Sequence, residues 1–228
     1  MAQFSGFSPE TVEFLWGIRF NNERGWFEEH KEVYQRALYQ PMKALGAQVA
    51  QALDAQMPDN GLRLKISRIY RDARRLFGRG PYKDHLWFTL HRGESSLGTR
   101  PALWFELTPD GWSCGMGFWC AKPAVMARHR ARIDTQERPL LALDRKLRGQ
   151  ERFVLEGPEY SRVKTPQNAK LAPWCNKKSL AISHEGPWEE LLYQPQLAQR
   201  LVEDFTFLMP YLDYFDTLWA QEDGAGQG

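Results

Sequence analysis

Six cationic side chains lie within one short stretch of the chain, between residues 68 and 83. The nearby carboxylates, Asp72 and Asp84, are only two, so the local charge is strongly positive. A guanidinium presents a planar fork of donors to a carboxylate or a phosphate, and two or three that converge can bind such a group. The six cations are Arg68, Arg71, Arg74, Arg75, Arg79 and Lys83.

This cationic stretch predicts a pocket for a phosphorylated or carboxylated small molecule. Tyr82 would add a hydroxyl group and an aromatic face, and Lys83 a point charge. Asp72 would orient an arginine, or act as a base whose pKa the neighbouring cations lower, so it is the one candidate for a catalytic residue. We expect the wall of the pocket to consist of Arg68, Arg71, Arg74, Tyr82 and Lys83.

A structural role is the alternative for the same arginines. They could bridge carboxylates such as Asp72 and Glu106 and the carbonyl groups at helix ends, and so form an ion-pair hub that binds no ligand. Breaking one side of a buried pair costs roughly 3–5 kcal/mol. The two hypotheses therefore differ in whether loss of Arg71 removes stability or ligand binding.

The cationic stretch lies between two predicted strands. Before it, Leu62, Leu64 and Ile66 alternate with polar residues, which is typical of a half-buried strand. After it, Leu86 to Leu90 predicts a returning strand. Gly78, Gly80 and Pro81 favour a turn between the two, so we expect the cations to be held in place.

The motif RIYRDARRLFGRGPYK resembles the signature of an uncharacterised family, the domain of unknown function 2461. The matching residues are Arg68, Arg71, Asp72, Arg74, Pro81, Tyr82 and Lys83. Arg75 stands where the family pattern has Phe, and Gly78-Arg79 where it has Asp-Lys. The resemblance extends to FSPETVEFLWGIRFNNERGWFEEHKEVY and to the GMGFW segment, and it implies no activity because the family has none established.

Four further residues are candidates of second rank. Asn22 and Trp26 belong to the family-like N-terminal segment and could face the cationic stretch; the alternative is a helix corner with an asparagine cap and a buried indole. Arg162 and Lys178 are implied by the resemblance alone, through an Arg-x-Pro element and a lysine before a small residue.

Composition excludes several classes of protein. The 228 residues are 43% hydrophobic and 13% aromatic, which is enough for a large core and argues against disorder. No apolar run is long enough for a transmembrane helix, and the N-terminus shows no secretory signal, so we expect a cytoplasmic protein with no membrane partner. The three cysteines show no metal spacing and are expected to be reduced core thiols.

Familiar cofactor and catalytic motifs are missing from the sequence. It contains no GxGxxG, GxxxxGK[ST], HExxH or GxSxG. Carboxylates near the centre are few and surrounded by cations, which disfavours a two-metal site. We therefore expect no cofactor and no metal, and the pattern does not predict an oligomeric state.

Nucleic-acid binding is a third hypothesis, ranked below the small-molecule pocket. It would use the cationic stretch, the RHRAR segment that starts at Arg128, and the basic residues between 162 and 178, with tryptophan and tyrosine rings for base stacking. The net charge of +2 gives little general attraction to a polyanion. Any such affinity would depend on local clustering.

The order of the predicted elements indicates an α+β fold. Three helices come first, with starts near Pro9, Asn22 and Pro41; strands occupy the middle; and further helices follow, the last restarting at Pro210. This order predicts one domain over residues 1–222, an antiparallel or mixed central sheet covered by N-terminal and C-terminal helices. We expect residues 223–228 to form a disordered tail.

Overall fold

The computed structural model describes residues 3–72, 74, 78, 80–93 and 99–223. Arg75 and Arg79 of the cationic stretch lie outside the described residues, and so do residues 224–228 of the predicted tail. Helices precede and follow a six-stranded antiparallel sheet. The predicted α+β fold class is confirmed.

The N-terminal helices begin where the sequence predicts but do not separate as expected. Ser8 precedes the first helix, and its backbone N–H donates to Thr11 Oγ1. A helix begins at Gln40 with Pro41 in its first turn, as predicted, but a π-helical segment, Tyr34–Tyr39, runs into it without a break. The missing N–H of a proline is tolerated where the hydrogen-bond pattern of a helix changes. These helices are α1 (Pro9–Phe20), α2 (Arg24–Glu29), α3 (Lys31–Val33) and α4 (Gln40–Gln56).

The sheet has the strand order β1-β2-β3-β4-β6-β5. Its strands are β1 (Leu62–Ile66), β2 (Leu86–Arg92), β3 (Ala102–Thr108), β4 (Gly111–Gly117), β5 (Val154–Glu156) and β6 (Ala181–Pro187). The turn from β3 to β4 is closed by Thr108, whose Oγ1 accepts hydrogen bonds from the backbone N–H groups of Asp110 and Gly111. At the other edge, Leu155 of β5 pairs with Ile182 of β6.

Strand β2 shows how the sheet divides its two faces. Leu86, Phe88 and Leu90 are fully buried, whereas Trp87 and Thr89 between them are only half-buried. Because side chains alternate between the faces of a strand, the first three point into the core. The face that carries Trp87 is the one that solvent can reach.

The last helix is continuous, so the predicted restart at Pro210 is wrong. A proline inside a helix costs roughly 3 kcal/mol, but Leu208, Tyr211 and Leu212 beside it are fully buried and offset that cost by packing. In the described part of the chain no helix is long and apolar enough to cross a membrane. The later helices are α5 (Pro123–Thr135), α6 (Glu137–Arg148), α7 (Ala172–Cys175) and α8 (Gln196–Asp223).

The cysteines are unpaired, as predicted. Cys114 and Cys175 are buried thiols, but Cys120 is exposed. Its predicted core position is wrong, because strand β4 ends at Gly117 and the alternation of faces ends with it.

The chain divides into two compact units. The first comprises Met1–Leu90, Trp104–Cys114 and Glu185–Glu203, and the second His91–Leu103, Gly115–His184 and Asp204–Gly228. The single domain over residues 1–222 stays a prediction. The cationic stretch and its neighbours belong to the first unit.

Candidate functional site

The two ends of the cationic stretch are joined by backbone hydrogen bonds. The N–H of Arg71 donates to the carbonyl of Pro81 at 2.8 Å, and the N–H of Lys83 donates to the carbonyl of Ile69 at 2.7 Å. Between these bonds, Tyr70 and Tyr82 form an isolated antiparallel bridge. Arg71 therefore lies opposite Pro81 and Lys83 opposite Ile69, one residue to either side of the bridge.

Asn22 fixes the same segment from the side of the helices. Its Oδ1 accepts from the N–H of Tyr82 and its Nδ2 donates to the carbonyl of Tyr82, both at 2.9 Å. Gly80 leaves room for this amide, because a Cβ there would lie 2.2 Å from Asn22 Oδ1. Asn21 is the capping residue of the corner, with its Nδ2 bonded to the carbonyl of Gly17. The side chain of Asn22 thus contacts the cationic stretch, as one hypothesis predicted. It does so at the backbone of Tyr82 and not at a cationic side chain.

Two aromatic candidates pack into the first unit. The ring of Tyr82 stacks on Phe27 with centroids 4.2 Å apart, and burial raises the pKa of its hydroxyl. Trp26 is half-buried and stacks on His30 at 3.9 Å. These contacts are those of packed residues, so neither ring lies open for a ligand to stack on.

Lys83 is the focus of the remaining positive charge. Its ammonium donates to the carbonyl of Arg68 and lies 4.7 Å from the ring centroid of Trp87. Burial, followed by the charges of Arg71 and Arg68, lowers the pKa of Lys83. No carboxylate among the described residues pairs with Lys83 or with Arg68. Three of the five predicted wall residues are therefore gathered around one half-buried ammonium group.

Arg71 serves a structural purpose as well. Its Nε donates to the carbonyl of Tyr82 at 2.6 Å, and its Nη2 lies 3.5 Å from Asp84 Oδ1. Its side chain is 18% exposed. This is the kind of contact that the ion-pair hypothesis predicts. It means that Nε and Nη2 of the Arg71 guanidinium are directed at protein atoms.

Arg74 and Asp72 pair with each other at the surface. Arg74 Nη2 lies 2.9 Å from Asp72 Oδ2, and the arginine side chain is 88% exposed. Asp72 also accepts a bond from the N–H of Arg74, which closes a local turn. The structure does not bring these two predicted residues to the other three.

Sequence reasoning missed Arg19, which organises the acidic side of the site. Its Nε lies 2.7 Å from Asp84 Oδ2 and its Nη1 lies 2.8 Å from Asp110 Oδ2. Burial alone would raise the pKa of Asp84, but the bonds from Arg19 and the backbone hold it below the ordinary value. Asp84 is therefore ionised at neutral pH and fixed in orientation.

An acid–base pair stands beside Asp84. His85 Nδ1 lies 3.2 Å from Asp84 Oδ1, and His85 Nε2 lies 4.0 Å from Glu106 Oε1. Burial lowers the pKa of His85, whereas burial and the charges of Glu185 and Asp84 raise the pKa of Glu106 to about 7. With Nδ1 donating to Asp84, Nε2 is the basic nitrogen and faces a carboxyl group that can hold a proton. Such an arrangement can take up and release protons near neutral pH.

One signal in the sequence could have revealed this pair. The alternation through β2 puts His85 and Trp87 on one face and Leu86 and Phe88 on the other. The distances between His85, Glu106 and Arg19 could not be read in this way, because they depend on how β2, β3 and α1 come together.

The remaining basic candidates lie in the second unit. Arg162 and Lys178 are exposed, and the N–H of Lys178 donates to the carbonyl of Pro158. On α5, Arg128 Nε donates to the carbonyl of Leu218 and Arg132 Nη1 to Thr217 Oγ1. Two arginines of the segment proposed to contact nucleic acid are thus bonded to α8.

The residues that the structure covers contain no group of three or more His, Cys, Asp or Glu side chains that could hold a metal ion. The candidate site of the first unit therefore consists of cations, one acid–base pair and an indole ring.

A family model described as "Conserved hypothetical protein (DUF2461)" matches residues 10–214 of the chain. The matched range contains every residue of the site, from Arg19 to Glu185. No curated protein matches the chain. The description of the family names no activity, substrate or cofactor.

Proposed function

The chain belongs to the family of conserved hypothetical proteins DUF2461, and we propose that it binds a small molecule carrying a phosphate or carboxylate group at Lys83. The observation that carries this proposal is the half-buried ammonium of Lys83 beside Arg68 and Arg71, with no carboxylate partner among the described residues. Like charges in contact destabilise one another, and an oxyanion between them would relieve the repulsion.

The surroundings of Lys83 suit such a ligand. Trp87 lies under the ammonium and offers an apolar wall next to it. Because ligand sites combine apolar walls with a few convergent polar groups, the combination of Trp87, Lys83 and Arg68 supports a small molecule over a macromolecular polyanion. Arg71 would contribute through the part of its guanidinium that contacts neither Tyr82 nor Asp84.

Proton transfer is the chemistry that this site could add to binding. His85 Nε2 would take a proton from the bound molecule or from water, and Asp84 would hold the imidazole in the tautomer that allows it. Glu106, with a pKa of about 7, would receive or supply a proton at its carboxyl group. The structural basis is the chain of contacts from Asp84 through His85 to Glu106.

We place this function in the cytoplasm. The three cysteines are unpaired, and reduced thiols are typical of that compartment.

The test is a thermal-shift screen of the wild type against inorganic phosphate, nucleoside monophosphates, sugar phosphates and dicarboxylates. A ligand at about 100 times its Kd should stabilise the protein by roughly 2.7 kcal/mol. Lys83→Met keeps the aliphatic stem over Trp87 and removes the charge, so it should abolish the shift. Lys65→Met is the matched control, since Lys65 is an exposed lysine of β1, and it should keep the shift. A screen without a hit, or a hit that stabilises Lys83→Met equally, would contradict the proposal.

A further inference from the structure

A cleft of about 320 Å³ lies in the second unit, apart from the residues described so far. One wall is helix α5, and the other is the segment that contains Lys164 and Thr165. The residues of α5 that line the cleft are Ala127, Arg130, Ala131 and Asp134. Their spacing of three and four residues puts them on one face of the helix, where the two alanines leave space between the two charged side chains.

The opposite wall is held in place by Asn176. Its Oδ1 accepts from the N–H of Lys164 at 2.8 Å, and its Nδ2 donates to the carbonyl of Lys164 at 2.9 Å. Asn176 is itself buried. The N–H of Gln167 adds a bond to Asp134 Oδ1 at 3.3 Å, across to α5. The backbone of the segment thus has a defined position beside α5.

Arg130 is the residue that points to a ligand. Its guanidinium lies 4.6 Å from the ring centroid of Tyr160. Its Nη1 is buried, and no hydrogen-bond partner for it exists among the described residues. A buried donor that belongs to a charged group is expensive to leave unbonded, and most buried polar atoms have a partner. The Arg130 side chain lines the cleft, so an oxyanion that draws the guanidinium toward it would supply that partner.

The other residues that line the cleft indicate which functional groups the ligand carries. Lys164 adds a second positive charge and Thr165 a hydroxyl group, while Asp134 brings a negative charge to the same cleft. Arg130 and Lys164 suit an oxyanion, and Asp134 suits a hydrogen-bond donor next to it. Cys175 also lines the cleft, but burial raises the pKa of its thiol, so it stays protonated at neutral pH and is no nucleophile.

We infer that this cleft binds a small molecule in which a phosphate or carboxylate group is followed closely by an amino or hydroxyl group. Its volume is at the lower end of the range for ligand pockets, which suits a molecule of the size of an amino acid or a short phosphate ester. This site is independent of the proposed function at Lys83, because none of its residues belongs to the first unit.

The inference can be tested by NMR titration of protein labelled with ¹⁵N in its arginine side chains. Phosphoethanolamine, inorganic phosphate and acetate serve as the probes, and the titration is run in the wild type and in Lys83→Met. The Nε–Hε signal of Arg130 should shift on addition of phosphoethanolamine in both proteins. A shift that disappears in Lys83→Met would assign the binding to the other site and overturn the inference.

Variants of the cleft define the contacts. Arg130→Lys and Lys164→Met should each weaken phosphoethanolamine binding roughly 10- to 100-fold, the loss expected for a charge-assisted hydrogen bond. Asp134→Asn should weaken phosphoethanolamine but leave inorganic phosphate unchanged. Arg145→Lys and Lys170→Met are matched controls on exposed residues of the same unit and should bind as the wild type does. Equal affinity of Arg130→Lys and the wild type, with melting curves showing both folded, would overturn the assignment.

Discussion

The side-chain amide of Asn22 pairs with the backbone of Tyr82 through two hydrogen bonds of 2.9 Å, across 60 residues of sequence. The amide acts as a substitute for a neighbouring strand, because it satisfies both the N–H and the carbonyl of one residue. Asn176 does the same for Lys164 in the second unit. In both units, an asparagine therefore sets the backbone position of a segment whose lysine takes part in a candidate site.

Loss of the Asn22 amide should destabilise the protein. Asn22→Ala removes two hydrogen bonds, each with a net contribution of about 0.5–1.5 kcal/mol, so the free energy of unfolding should fall by roughly 1–3 kcal/mol. Asn22→Asp should cost more, because it turns a carboxylate toward the carbonyl of Tyr82. Urea denaturation measures both. Asn21→Ala, which removes one exposed bond to Gly17, is the control and should cost less than Asn22→Ala.

Glu106 should make stability depend on pH. Its pKa is about 7 in the folded protein and about 4.5 when unfolded, so ionisation costs stability as the pH rises from 4.5 to about 7. Glu106→Gln should match the wild type below pH 4.5 and exceed it by roughly 1–3 kcal/mol at pH 8. The neighbouring charges, Glu185, Asp84 and His85, are common to both proteins. A difference that does not change with pH would contradict the raised pKa.

Asp84 should show the opposite dependence. Its pKa is lower in the folded protein than the ordinary value of 3.8, so its stabilising effect is complete above that pH and is lost as the pH falls through the folded pKa. Asp84→Asn should lower the free energy of unfolding by roughly 1–3 kcal/mol at pH 6, as expected for hydrogen bonds to a charged group. The deficit should shrink on acidification below pH 4. Asp110→Asn, at a carboxylate that is 66% exposed, should have a smaller effect in the same denaturation series.

Arg71 separates the two hypotheses for the cationic stretch. Arg71→Ala removes one donor from the carbonyl of Tyr82 and one from the carboxylate of Asp84, which keep their bonds from Asn22 and Arg19. We expect the loss of these two contacts to lower the free energy of unfolding by roughly 1–3 kcal/mol. Lys83→Met should change stability by less, because its ammonium adds repulsion as well as a bond. Arg74→Ala is the control, at an exposed pair worth about 0–1 kcal/mol. Calorimetry with the ligand identified in the screen would then show whether Arg71 also contributes to binding.

Breaking a buried ion pair of the second unit should destabilise the protein more than breaking a pair at the surface. Arg152 contacts Asp204 through two bonds of 2.8 and 2.7 Å, and the Asp204 side chain is only 4% exposed. Asp204→Ala leaves a guanidinium without this partner and should cost roughly 3–5 kcal/mol. Glu10→Ala breaks an equally short pair with Arg36 at the surface, and it should cost at most about 1 kcal/mol. Similar losses for the two variants would show that burial does not set the cost.

Much of the fold could be predicted from local patterns. The alternation in Leu62–Ile66 and the glycine turn at Thr108–Gly111 predicted strands that the structure contains, because a half-buried strand needs that period. Pro210 was misleading, since the packing around it outweighs the cost of one missing amide. The signal that a helix should end lies in the local sequence, but the packing energy that outweighs this signal comes from tertiary contacts.

The candidate site was predicted in part. Arg68, Arg71 and Lys83 were expected together and lie together, because they leave two backbone segments that the Tyr70–Tyr82 bridge joins. Arg74 was expected with them, yet it lies in a tight turn and pairs with Asp72. The roles of Arg19 and Glu106 could not be predicted from the sequence, since they come from contacts with distant segments of the chain.

Arg19 also bears on the speed of unfolding. Its one guanidinium joins α1 to Asp84 and to the turn at Asp110, which are 65 and 91 residues away. Contacts between such distant segments form only when most of the chain is already assembled, because closing long loops is slow. We therefore expect the contacts of Arg19 to form late in folding, so that their loss speeds unfolding and changes the folding rate little.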